Sequence, residues 1–190
     1  YDVTNEDALL HALTIQNGRI TSPSGNAYRL LVLPLGRHLS LPSLERIATY
    51  VHQGGSIAGS APIGPTGIVD SATAQRFAQL THDLWDNCTQ PIHPYGSGTV
   101  FCGTDTRAAL HQLNVAPDFE AEAPELDYVH RTETRSDHTT DIYFVRNPTS
   151  HAIYTLAHFR VSGRAPELWN AVDGVITPQL SYRMERGTTA

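Results

Sequence analysis

The strongest constraint lies between Leu126 and Gly174, where three runs of strand character follow one another without a helix and close on Pro166-Glu167-Leu168-Trp169. Within it, Asp141-Ile142-Tyr143-Phe144-Val145 sets large apolar and aromatic groups on both sides of an extended chain, because successive side chains of a strand point to opposite faces. Such a run predicts a strand covered above and below. The next run, Ala152 to Val161, is long enough to pair with it as a hairpin across Asn147-Pro148-Thr149-Ser150, whose residues favour a turn. The pattern is that of an antiparallel β-sandwich, and a sandwich takes about 100 residues to close. Residues 126–190 therefore read as a sandwich portion of something larger, with no cap signal from Arg183 to Ala190, the alternative being a complete small α+β protein in which these strands pack on the N-terminal half.

The first half reads differently. Thr4-Asn5-Glu6-Asp7 ahead of Ala8, Leu9, Leu10 and Leu13 predicts a helix with acids in its first turn. Tyr28 to Pro34 is an almost unbroken apolar run, as in a central parallel strand. Ser40-Leu41-Pro42-Ser43 caps a helix whose stripe is Leu44, Ile47, Ala48 and Val51 and whose end is Gly54-Gly55. Ser56 to Gly59 gives a second strand, Ala72 to Trp85 a helix, Gly98 to Cys102 a strand and Thr106 to Leu113 a helix. This alternation predicts an α/β domain over residues 1–115, built as a flavodoxin-like parallel sheet layer. Ala116 to Glu125, with two prolines and four acids, reads as a linker.

Composition excludes some classes of partner. The net charge is −6 and all 13 cations are scattered arginines, so no clustered basic face is offered to nucleic acid. No apolar run approaches the roughly 20 residues that cross a bilayer, and Tyr1 to Leu10 shows no export signal. Cys88 and Cys102 match no zinc spacing; they could form one disulfide in an oxidising compartment, but two reduced, partly buried thiols are the favoured reading, since one pair does not define a disulfide framework.

Candidate chemistry concentrates in one segment. His130, Arg131, Glu133, Asp137, His138 and Asp141 form the densest polar patch, which a sugar-contacting or calcium-assisting loop could use and which a plain exposed hairpin also explains. His130-Arg131 interrupts a strand flanked by Tyr128 and Val129, and a guanidinium there can fork onto a carboxylate or sugar hydroxyls. Trp169 offers a ring that could stack on a sugar, though Leu168 and Val172 favour it as a buried plug. His130, Arg131, Asp137 and Trp169 are thus the candidate substrate contacts. Ser60 follows a strand at a tight turn, but Pro62 removes a backbone donor that an oxyanion hole would use, so a working nucleophile is not expected.

In order along the chain, YDVTNEDALL, YRLLVLP, LPSLERIATYVHQGGSIAGSAPIGPTG, YVHRTETRSDHTTDIYFVRN and PELWNAVDG resemble the region that follows the catalytic barrel in α-L-rhamnosidases of glycoside hydrolase family 106. The α/β half also resembles the class I glutamine amidotransferase layout. The family resemblance implies that the catalytic carboxylates and a calcium ion belong to a barrel of the same polypeptide, with a rhamnose-containing glycan as substrate. No catalytic residue and no cofactor are then expected in these residues, whose role is that of an accessory portion. The alternative is an independent binding or assembly module with a flavodoxin-like core, distinguished by whether a barrel is encoded upstream. A sandwich cut short leaves bare strands, so the isolated chain is expected to self-associate.

Overall fold

The computed structural model describes residues 1–185 and 188–189 and divides them into two compact units, from Tyr1 and from Ala116 onward. The expectation for residues 183–190 falls partly on Arg186, Gly187 and Ala190, outside the described residues.

The first unit begins with a π-helical turn at Ala8–Ala12, shorter than the helix expected there, and a three-stranded antiparallel sheet of β1 (Thr14–Gln16), β2 (Arg19–Thr21) and β3 (Ala27–Tyr28). Its centre is a mixed sheet in which β4 (Leu30–Val32), β6 (Ser56–Ala58) and β9 (Gly98–Phe101) run parallel and β8 (Ile92–Tyr95) closes the edge antiparallel to β9. A short parallel pair, β5 (His38–Leu39) with β7 (Gly64–Pro65), lies apart from it. Three parallel strands and one antiparallel edge make a smaller layer than the one the alternation predicts.

Helix α1 (Leu41–His52) starts where Ser40 Oγ accepts the Ser43 amide at 3.2 Å, and its stripe of Leu44, Ile47, Ala48 and Val51 is buried as the spacing requires. Helix α2 (Ser71–Trp85) is capped by Asp70, which accepts the Thr73 amide at 2.8 Å, and buries Phe77, Leu80, Leu84 and Trp85. The Trp85 indole is 1% exposed and donates to the Gly59 carbonyl at 2.9 Å, so its one polar atom is satisfied inside the core. Gly98 lets β9 pass the end of α1: a Cβ there would stand 2.1 Å from the Val51 carbonyl oxygen. Helix α3 (Thr106–Gln112) is capped by Asp105.

Cys88 and Cys102 form a disulfide, correcting the expectation of free thiols. The pair is fixed by fold rather than by motif. A left-handed stretch, Asp86, Asn87 and Cys88, all at positive φ, turns the chain back after α2, and Cys102 directly follows β9. Their Cα atoms are 5.6 Å apart, within the span a disulfide bridges.

The second unit consists of small antiparallel sheets. One is ordered β10 (Phe119–Ala121), β13 (Ala157–Phe159), β17 (Thr188–Thr189), β16 (Met184–Glu185). The expected linker therefore contributes a strand, with Phe119 opposite Phe159. A second sheet is the hairpin of β11 (Asp127–Thr134) and β12 (Thr139–Arg146), and a third is the hairpin of β14 (Glu167–Trp169) and β15 (Ile176–Pro178).

The expected hairpin across Asn147 to Ser150 is not formed; β12 pairs with the preceding run instead. Asn147 accepts the Thr149 amide at 2.9 Å and donates to the His151 carbonyl at 2.7 Å, a local turn that redirects the chain without starting a strand. Nor is the Asp141 to Val145 strand covered on both faces. Ile142 and Tyr143 are half-buried, whereas Phe144 is 58% exposed.

Candidate functional site

Register decides which residues of the polar patch meet. In β11–β12 the cross-strand pairs are Tyr128 with Val145, His130 with Tyr143 and Thr132 with Asp141, and since side chains alternate, all six share one face. Val129, Arg131 and Glu133 lie on the other, opposite Phe144, Ile142 and Thr140. The aromatic members of the first face meet those of β10 and β13. Phe119 lies 5.0 Å from Tyr128 and 5.2 Å from Phe159, and Tyr143 lies 4.9 Å from Phe159 edge to face. Two sheets thus pack by their aromatic faces, in the manner of a small sandwich.

Beside that cluster sits a network centred on His130. Its ring stacks on Tyr143 at 4.0 Å, Nδ1 lies 2.8 Å from Asp118 Oδ2, and Nε2 lies 3.1 Å from Asp141 Oδ1. Each ring nitrogen of His130 thus faces a carboxylate oxygen, one from each aspartate. Asp118 Oδ1 accepts from the Tyr143 hydroxyl at 3.2 Å and from Arg160 at 3.1 Å, and Arg160 also donates to the Ala116 carbonyl at 3.0 Å. Asp141 accepts from Thr132 at 2.9 Å and from Arg164. Two carboxylates, two guanidiniums, one imidazole and two hydroxyls therefore close on one another.

The electrostatics follow from that closure. Partial burial raises the Asp141 pKa, but the hydrogen bonds from Thr132 and His130 and the charges of Arg164 and His130 outweigh it, leaving the carboxyl below its usual range. Burial, then the adjacent Asp118 charge and hydrogen bond, push Tyr143 well above the ordinary tyrosine value. Tyr128 is raised by burial and then by the same carboxylate.

The structure separates the four sequence candidates. His130 is the hub. Arg131 is exposed on the opposite face, and Asp137 is at the hairpin tip, 2.7 Å from His138 Nδ1. Trp169 is 59% exposed in β14 rather than a buried plug. Asp118, Arg160 and Arg164 are not legible in the sequence, because Asp118 lies in a segment with linker composition and the arginines follow a strand whose partner local pattern does not reveal.

Among the described residues no group of three or more histidines, cysteines or acids is arranged to hold a metal ion. Ser60 is half-buried after β6. A shallow depression of about 460 Å³ lies in the first unit, floored by Ala48 and Leu80 and rimmed by Glu45, His52, Arg76 and Tyr95.

Comparison with known proteins places the chain. The model of the alpha-L-rhamnosidase family, glycoside hydrolase family 106, matches residues 1–184. A solved structure of a rhamnosidase from Novosphingobium sp. PP1Y superposes with a TM-score of 0.83 at 31% identity, covering 100% of this chain and 18% of that one. A Formosa agariphila protein provisionally named a beta-glucuronidase is 27% identical over 192 residues, covering 100% of this chain and 15% of its own length. The chain belongs to the alpha-L-rhamnosidase family and spans less than a fifth of the length of these relatives.

Proposed function

We propose that these residues are a non-catalytic, accessory portion of a glycoside hydrolase that acts on rhamnose-containing glycans, with the catalytic carboxylates, and any calcium, in a barrel of the same polypeptide. Residues 1–115 form a reduced flavodoxin-like domain in this reading. Its support is the parallel order β4-β6-β9, with α1 between the first two strands and α2 between the next. Residues 116–190 form the sandwich portion, beginning at the segment first read as a linker.

The observation that carries the reading is the state of Asp118 and Asp141. Glycoside hydrolysis needs one carboxyl to deliver a proton and another to attack the sugar or activate water, so both must face substrate. Here both face His130, and their remaining bonds go to Tyr143, Arg160, Thr132 and Arg164. Asp141 is also held ionised by its neighbours, the opposite of what a general acid requires. Carboxylates consumed in this way hold strands together.

Kinetics on the full-length polypeptide with an aryl α-L-rhamnoside test the proposal. Asp118→Asn and Asp141→Asn are each expected to keep kcat within about tenfold of the parent, whereas loss of a reacting carboxylate costs several orders of magnitude. A drop of that larger size in correctly folded protein would make the network catalytic and the proposal wrong.

A further inference from the structure

The β14–β15 hairpin is ordered where nothing in the second unit's described sheets pairs with it. It has only three residue pairs, and a ribbon of that size is not stable in water by its own strand pairing. Its turn is nevertheless tightly defined. Asn170 Oδ1 accepts the Val172 amide at 2.9 Å, Asp173 Oδ1 accepts the Val175 amide at 2.9 Å, and the two side chains meet at 3.0 Å. The Gly174 amide returns to the Asn170 carbonyl at 2.8 Å. On this preorganised frame Leu168, Trp169, Val172, Val175 and Ile176 are all exposed.

Trp169 is prepared for burial. It faces Ile176 directly across the ribbon and shares its side with Glu167 and Pro178. Its indole nitrogen donates to Glu167 Oε2 at 3.2 Å, so the one polar atom of the ring has a partner within the hairpin. The ring can then leave water without orphaning a donor. The cross-strand neighbour of the ring is an isoleucine, with a proline beyond it, and the Glu167 carboxylate on the same side is engaged by the indole itself.

We infer that the Glu167–Pro178 hairpin is an anchor that seats Trp169, with Ile176 beside it, in an apolar recess formed by residues of the same polypeptide outside 1–190. The inference rests on the family reading, in which these residues are one part of a longer enzyme. Relatives of which this chain covers 15% and 18% supply the length of chain from which such a recess is built. An exposed tryptophan with its N–H satisfied and an isoleucine directly across from it is the kind of aromatic anchor that interface centres use.

Amide hydrogen exchange on the full-length polypeptide tests the anchor. In the parent, residues 168–177 exchange slowly. Trp169→Ala speeds them at least about tenfold, Trp169→Phe has a smaller effect, and the α1 amides do not change. Free-peptide exchange of this segment in the unmodified parent would overturn the anchor. Protection that appears only on adding a rhamno-oligosaccharide would overturn it in favour of a sugar platform. Protection that vanishes on dilution would overturn it in favour of contact with a second copy. Failure of the family reading would appear separately, as a parent that does not hydrolyse rhamnosides.

Discussion

The imidazole of His130 lies flat on the phenol ring of Tyr143, 4.0 Å between centroids and 9° from parallel, while both residues bind the same Asp118 carboxylate. Stack and carboxylate together fix β11, β12 and the residue just before β10. His130→Ala would leave Asp118 Oδ2 and one bond of Asp141 without a partner in a half-buried site. Breaking bonds to charged acceptors costs about 1.5–3 kcal/mol, and partial exposure moves the expectation toward the lower end. Denaturant unfolding of the His130→Ala chain should show a loss of about 2 kcal/mol, with His130→Gln losing less. An unchanged midpoint would mean that the network is a surface arrangement without structural weight.

The disulfide offers a second test. Cys88 and Cys102 are 14 residues apart and tie the turn after α2 to the end of β9. Closing a loop of about 15 residues removes unfolded-state entropy worth roughly 3 kcal/mol. Replacing both cysteines by serine, or adding reductant, should therefore lower the melting temperature of the first unit by about 10 °C. A reductant-insensitive melt would show that the bond adds nothing to stability.

What was legible in the sequence was mostly local. Helix α1 could be read because Ser40, Pro42 and the stripe from Leu44 to Val51 lie within twelve residues and act on the same turns. The Asn147-Pro148 turn is legible too, but turn chemistry says where a chain bends and not which strands then pair, and β12 pairs with β11 rather than with the run after the turn. The site was hardest to read. His130 stood out as a polar interruption, yet Asp118 is 12 residues before it and Arg160 is 42 residues beyond Asp118, separations that carry no periodic signal. The apolar neighbours of Trp169 suggest burial, yet among the described residues the ring stands 59% exposed.

Stability should fall at both ends of the pH scale for assignable reasons. Asp141 has a folded pKa below its unfolded value, so its contribution is complete above about pH 4 and is lost as pH falls through the folded value. Tyr143 has a folded pKa above its unfolded value, so its contribution is complete below about pH 10 and is lost as pH rises through the folded value. The melting temperature should fall below about pH 4 for the first reason and above about pH 10 for the second. Asp141→Asn should shallow the acid limb and Tyr143→Phe the alkaline limb, the latter only in part because burial also raises Tyr50 and Tyr128. Identical limbs in parent and variants would place the pH dependence elsewhere.

The outer face of the β11–β12 hairpin gives the last prediction. Val129 and Phe144 are directly opposite each other on that face, 67% and 58% exposed. A cross-strand pair of large apolar groups in water is a template for association when nothing covers it. The isolated 190-residue chain should therefore gain apparent mass with concentration in light scattering. Phe144→Thr keeps a residue suited to a strand while removing most of the apolar area, about 2 kcal/mol of burial per fully covered side chain. It should shift the association to concentrations at least about tenfold higher, a factor that corresponds to about 1.4 kcal/mol. A chain that stays strictly monomeric over the whole series would show that this face tolerates water, and that the sandwich portion needs no second layer over β11 and β12.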